Sequence, residues 1–156
     1  MLSRKEAIQH IFRKHGKNSV YVTNTGYLSR AIYSLYPDNK NILYMQGSMG
    51  LSPAIALGIA KNTTKDVVAF VGDGSFLMHL GVTHTIRDES LSNLFVYVID
   101  NGCHESVGQY ECSPLELKEK YVGITDILKV SNDGKLPRVG LACDDNIENI
   151  RKFLAD

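Results

Sequence analysis

The 156 residues are 44% apolar and 22% charged, the balance of one globular domain with a sizeable core. Seventeen Lys and Arg offset seventeen Asp and Glu, so neither nucleic acid nor an anionic membrane is an expected partner. No apolar run approaches the ~20 residues of a membrane span, and no apolar stretch follows the charged N-terminus as in a signal peptide.

Residues 3–15 place Ala7, Ile8, Ile11 and Phe12 at helical spacing. Ser3 with Glu6 has capping-box spacing, and Gly16 is the stop. Residues 19–23 predict a short strand that ends in Asn24-Thr25-Gly26, and residues 27–35 a helix closed by Tyr36-Pro37-Asp38. Residues 41–46 predict a strand ending at Gly47-Ser48-Met49-Gly50. The helix expected over 53–61 is small and apolar almost all round, which predicts burial on every side.

Residues 67–71 are a continuous apolar run, the mark of a strand covered on both faces. The run ends at Gly72-Asp73-Gly74-Ser75, and one helix is expected over 76–87. Residues 94–99 form a second such strand, ending at Asp100-Asn101-Gly102. Further on, 115–120 predicts a helix, 125–130 a strand and 147–154 a helix. Residues 137–143 are an edge strand or a loop. Strand, loop and helix repeating at this rhythm predict a three-layer α/β domain: a doubly wound, mainly parallel sheet with helices on both faces.

Three polar motifs thus stand at the C-terminal ends of predicted strands, where open parallel sheets bind ligands. One crossover helix joins the two buried strands, which predicts that they are neighbours and that Asp73 faces Asn101. A carboxylate with an amide oxygen is a partial shell for a hard cation such as Mg²⁺. Gly72 and Gly74 let the backbone approach a bulky anion, and Gly74-Ser75 opens a helix whose free N–H groups favour phosphate. A magnesium diphosphate satisfies both halves without a basic patch. The fingerprints of dinucleotide and P-loop sites are absent. Cys103, Cys112 and Cys143 form no CxxC pair, so they read as reduced thiols of a cytoplasmic protein.

Gly72-Asp73-Gly74 followed by Asn101 resembles the thiamine diphosphate motif. GSMGLSPAIALGIA at 47–60, TGYLSR at 25–30, the segment Leu77-Met78-His79-Leu80-Gly81 and Asn101-Gly102-Cys103-His104-Glu105-Ser106-Val107-Gly108 accompany it. Together they are similar to the C-terminal, diphosphate-binding domain of phosphonopyruvate decarboxylases, with sulfopyruvate decarboxylase β subunits close behind. The resemblance covers residues 5–110 well and the remainder weakly.

The resemblance implies a role for each residue. Asp73, the side-chain oxygen of Asn101 and the carbonyl of Cys103 would hold Mg²⁺. Gly72, Gly74 and Ser75 would meet the diphosphate. The Gly47 carbonyl would accept from the aminopyrimidine, with Ser48 beside it. Met49 would be the wedge under the cofactor, or else core. Thr25 and Gly26 would lie near the cofactor. His104 and Glu105 would move protons at the substrate, or else form an exposed loop pair.

The family's pyrimidine-binding half, which supplies a catalytic glutamate, has no counterpart in these residues. The expectation is a subunit whose site is completed by a separate α-type chain, in a hetero-oligomer or homo-oligomer. Its substrate would be a 2-oxo acid with an anionic tail, phosphonopyruvate before sulfopyruvate on the strength of His79 and residues 104–108. Two other readings compete: a 2-oxo acid:ferredoxin oxidoreductase β subunit, which should carry cluster cysteines, and a degenerate cofactor-binding domain with an assembly role. One departure stands out: HESVGQ is one residue shorter than the family's HESVGGQ, and Tyr110-Glu111-Cys112 follow.

Overall fold

The computed structural model describes residues 1–156. Six strands form one wholly parallel sheet: β1 (Leu2–Ser3), β2 (Val20–Thr23), β3 (Ile42–Tyr44), β4 (Val67–Gly72), β5 (Leu94–Asp100) and β8 (Asp126–Ser131). Their order across the sheet is β1-β8-β5-β4-β2-β3. A separate hairpin pairs β6 (Cys103–His104) with β7 (Tyr110–Glu111). The helices are α1 (Arg4–His15), α2 (Tyr27–Leu35), α3 (Ser52–Ala60), α4 (Asp73–Met78), α5 (Val82–Glu89) and α6 (Cys143–Ala155). None is long and apolar enough to cross a membrane.

Alternation along the central strands divides the core in two. Val68 and Phe70 of β4 face α1 and α2, where Ile8, Ile11, Phe12 and Ile32 cover them. Val67, Ala69 and Val71 face the other way, toward Ala56 and Leu57 of α3, Ile86 of α5 and Ile150 of α6. Both layers are apolar, so β4 is apolar on both faces. The chain winds outward from β2 to β3, then returns to β4 and proceeds through β5 to β8. The winding reverses between β2 and β4, and a crevice opens at their C-terminal ends.

Several expected elements differ. The helix expected over 76–87 starts at Asp73 instead and breaks at His79–Gly81 into α4 and α5, where Gly81 weakens helical continuity. Residues 115–120 give only a 3₁₀ turn at Lys118–Lys120. Residues 137–143 are a loop up to Cys143, where α6 starts, four residues before the expected 147. The helix α3 is not buried on every side: Ile55 is 38% exposed, because layers cover only the face carrying Pro53, Ala56, Leu57 and Ala60. The capping box of Ser3 and Glu6 is present, and Gly16 ends α1 at φ +75°.

Candidate active site

Each strand end contributes a loop to one cleft. From β2 come Asn24, Thr25 and Gly26; from β4 come Gly72, Asp73, Gly74 and Ser75; from β5 and the hairpin come Asn101, Cys103, His104 and Glu105. Met49 and Arg4 also line it. The pairing Gly72↔Ile99 brings the two strand ends level, so Asp73 and Asn101 face each other as their spacing predicts.

Asp73 is 4% exposed. Its Oδ2 accepts from the backbone N–H of Gly102 at 2.8 Å. Burial first, and then the neighbouring Asp100 carboxyl, push its pKa above the usual aspartate value, against the downward pull of backbone N–H donors from Gly74 and Gly102. A buried acid that faces a second acid calls for positive charge. The inward atom of the Asn101 amide lies 3.2 Å from Asp73 Oδ1 and 3.0 Å from the Cys103 carbonyl. With the amide oxygen inward, three oxygens converge with no donor among them. Adjacent ligands of an octahedral Mg²⁺ sit about 3 Å apart, given Mg–O distances of about 2.1 Å. The donor set and spacing therefore fit a hard divalent cation.

The loop that carries two of these groups is tightly built. β6 and β7 pair antiparallel, with Cys103↔Glu111 and His104↔Tyr110. Gly108 and Gln109 turn the hairpin with positive φ of +114° and +60°, and Gln109 N–H donates to the His104 carbonyl at 3.1 Å. This hairpin points the His104 ring at Gly74, where a Cβ would collide with the imidazole. Gly74 thus leaves the His104 ring room to lie against the backbone, and any side chain here would displace that ring. The N–H of Gly74 and that of Ser75 lie in the first turn of α4, where backbone donors lack helical partners.

The remaining expected residues divide. Thr25 and Gly26 line the cleft, and a Cβ on Gly26 would meet Ser106 Oγ at 3.3 Å. Met49 lines it and is half-buried. Gly47 and Ser48 are exposed and lie outside the ring of lining residues, in consecutive left-handed conformations at φ +69° and +51°. His79 is exposed at the end of α4, against Gly50, and does not line the cleft. Glu105 is not an exposed loop residue: its carboxylate is paired with Arg4 at 2.5 Å, and its side chain is 8% exposed.

Sequence reasoning missed three residues here. Arg4 lies in a charged N-terminal stretch that reads as solvated, yet it is 2% exposed. Asn132 follows β8 and contacts both Arg4 and Asn101. Asn24 accepts from Gly50 N–H at 3.1 Å and so ties the β2 loop to the loop that bears Met49. The Asn24-Thr25-Gly26 turn was the one available signal for the last of these.

The model of the thiamine pyrophosphate enzyme C-terminal TPP-binding domain matches residues 22–133. The chain belongs to this family. It is 34% identical to the sulfopyruvate decarboxylase subunit beta of Methanothermobacter thermautotrophicus, over 95% of this chain and 75% of that one. It is 37% identical to a phosphonopyruvate decarboxylase of Streptomyces viridochromogenes, over 68% of this chain but 26% of that one. A solved thiamin diphosphate-dependent enzyme from Mycobacterium smegmatis has the same fold, with TM-score 0.63 and 17% identity over 88% of this chain and 32% of that chain. The matched span, residues 22–133, contains the loops from β2, β4 and β5 that line the cleft.

Proposed function

We propose that this chain is the diphosphate- and Mg²⁺-binding subunit of a decarboxylase acting on a 2-oxo acid with an anionic tail. The observation that carries the reading is the convergence of Asp73 Oδ1, the inward atom of the Asn101 amide and the Cys103 carbonyl in a cleft within the family-matched span, the amide oxygen being the inward atom in this reading. These three would hold Mg²⁺. Gly72, Gly74 and Ser75 would receive the diphosphate, and Met49, Thr25 and Gly26 would border the rings. Bound thiamine diphosphate supplies the electron sink for loss of CO₂. His104, held over Gly74 by the hairpin, is the group in this chain placed to carry a proton. Gly47 would offer its carbonyl to the cofactor, and Ser48 would stand beside it, once the loop is drawn in.

The site is completed by a pyrimidine-binding partner chain that brings the catalytic glutamate. The match to a protein named as a β subunit supports this, as do exposed apolar side chains on the hairpin that bounds the cleft, Val107 at 60% and Tyr110 at 70%. Phosphonopyruvate and sulfopyruvate are both candidate substrates. Coverage of 75% of a sulfopyruvate decarboxylase β subunit, against 26% of a phosphonopyruvate decarboxylase, favours the second acid on subunit organisation. The position of His79 outside the cleft removes one reason for the first.

The test is CO₂ release from both acids, with pyruvate as the tailless control, by this chain alone and by its complex with the partner. Turnover of one tailed acid by the complex alone is expected. Full turnover by the isolated chain would overturn the split site. A stable complex that turns over neither acid would leave an assembly role.

A further inference from the structure

The orientation of the Asn101 amide decides whether the cleft presents an oxygen or a nitrogen to a cation, and a chain of hydrogen bonds decides that orientation. It begins at the sheet edge. β1 pairs with β8 in the register Leu2↔Val130 and Ser3↔Ser131, so the next residues, Arg4 and Asn132, arrive side by side. Arg4 Nη2 donates to Asn132 Oδ1 at 2.8 Å and to Glu105 Oε2 at 2.5 Å. Guanidinium has donors only, so Asn132 must turn its oxygen toward it. The same Asn132 oxygen lies 2.8 Å from the outer atom of the Asn101 amide. That atom must then be the nitrogen, which leaves the Asn101 oxygen facing Asp73 and Cys103. The reverse orientation would satisfy those two acceptors, but it would set the Asn101 oxygen against the Asn132 oxygen at 2.8 Å. Turning Asn132 as well would set its NH₂ against Arg4, donor on donor.

We propose that Arg4 and Asn132 are positioning residues that lock the Asn101 amide oxygen inward and so set the affinity of the cleft for its divalent cation. The proposal rests on the metal reading above. Neither residue touches the cation. Arg4 is 2% exposed; of its two side-chain acceptors Glu105 lines the cleft and Asn132 is an exposed residue in contact with Asn101, so the buried charge is held by groups that reach the cleft directly and through Asn101. Residues that orient metal ligands commonly change affinity by 10–100-fold.

The experiment is titration of Mn²⁺ into the full chain with saturating thiamine diphosphate, with free Mn²⁺ read by electron paramagnetic resonance. Asn132→Ala should weaken Mn²⁺ binding by about 10–100-fold while metal-free thermal unfolding stays cooperative. Asn132→Asp keeps the acceptor and should retain binding. Asn101→Asp has two equivalent oxygens and needs no orienting, so adding Asn132→Ala to it should cost nothing. Wild-type affinity in Asn132→Ala, or an equal loss in the Asn101→Asp background, would overturn the inference alone. No Mn²⁺ binding by the wild type would overturn the metal reading and this inference with it.

Discussion

Strand β4 passes through two chemically different regions within a few residues. From Val67 to Val71 every side chain is fully buried among apolar neighbours from both layers. From Asp73 onward the chain enters a rim where a buried carboxylate, held by backbone N–H groups on one side, faces a second carboxylate and lies beside the Asn101 amide and the Cys103 carbonyl. The core is complementary in itself. The rim is complementary only to something positive and to something anionic that accompanies it. Stability is concentrated in the first region, and the second gives some of it up for binding.

The largest effect that sharpens this contrast lies in the core. Phe70 is fully buried beside Phe12 and Tyr21. Phe70→Ala should cost about 3–5 kcal/mol by chemical denaturation, which is a large fraction of a domain's total stability. Asp73→Ala, in contrast, should remove Mg²⁺ binding while the chain stays folded.

Asp73→Asn should behave oppositely in the two assays. It should abolish cation binding and raise the metal-free melting temperature by about 2–4 °C, corresponding to about 1 kcal/mol for a chain of this size. The sign follows from the raised carboxyl pKa. The folded state holds the Asp73 proton more tightly than the unfolded state does, so ionisation of Asp73 lowers metal-free stability as pH rises. The window runs from the ordinary 3.8 up to the raised folded value. The advantage of Asp73→Asn should therefore grow across that window and vanish in acid below it. Mg²⁺ competes with the same proton, so its affinity should fall over that range as pH drops.

Gly74→Ala should be smaller in stability and selective in binding. The new methyl group meets the His104 ring, which must move, at about 1–3 kcal/mol. Cofactor affinity should drop at least about tenfold by calorimetry, since each 1.4 kcal/mol lost from binding is tenfold. The smallest effect is a control outside both regions. Lys152 and Glu148 form an exposed pair on α6, and Lys152→Ala should change stability by no more than about 0.5 kcal/mol and leave binding alone.

The same contrast explains what was legible in the sequence. β4 and β5 announce themselves through unbroken apolar runs, and their loops could be placed by topology alone. Asp73, Asn101 and Gly74 were therefore accessible from spacing. The residues that orient them were not. β1 has two residues and carries no periodicity, yet its register with β8 is what delivers Arg4 to Asn132. The β6–β7 hairpin has two residues per strand, so only its turn residues could have signalled it. The exposed face of α3 reads as core because nothing in a run of small apolar residues says which side a neighbour covers.

The most direct test of the rim's character is calorimetric titration of thiamine diphosphate into the wild-type chain and Asp73→Ala, each with and without Mg²⁺. Binding that requires Mg²⁺ and disappears in Asp73→Ala is the predicted result. Binding of equal strength without the metal, or undiminished in Asp73→Ala, would contradict a rim built around a cation.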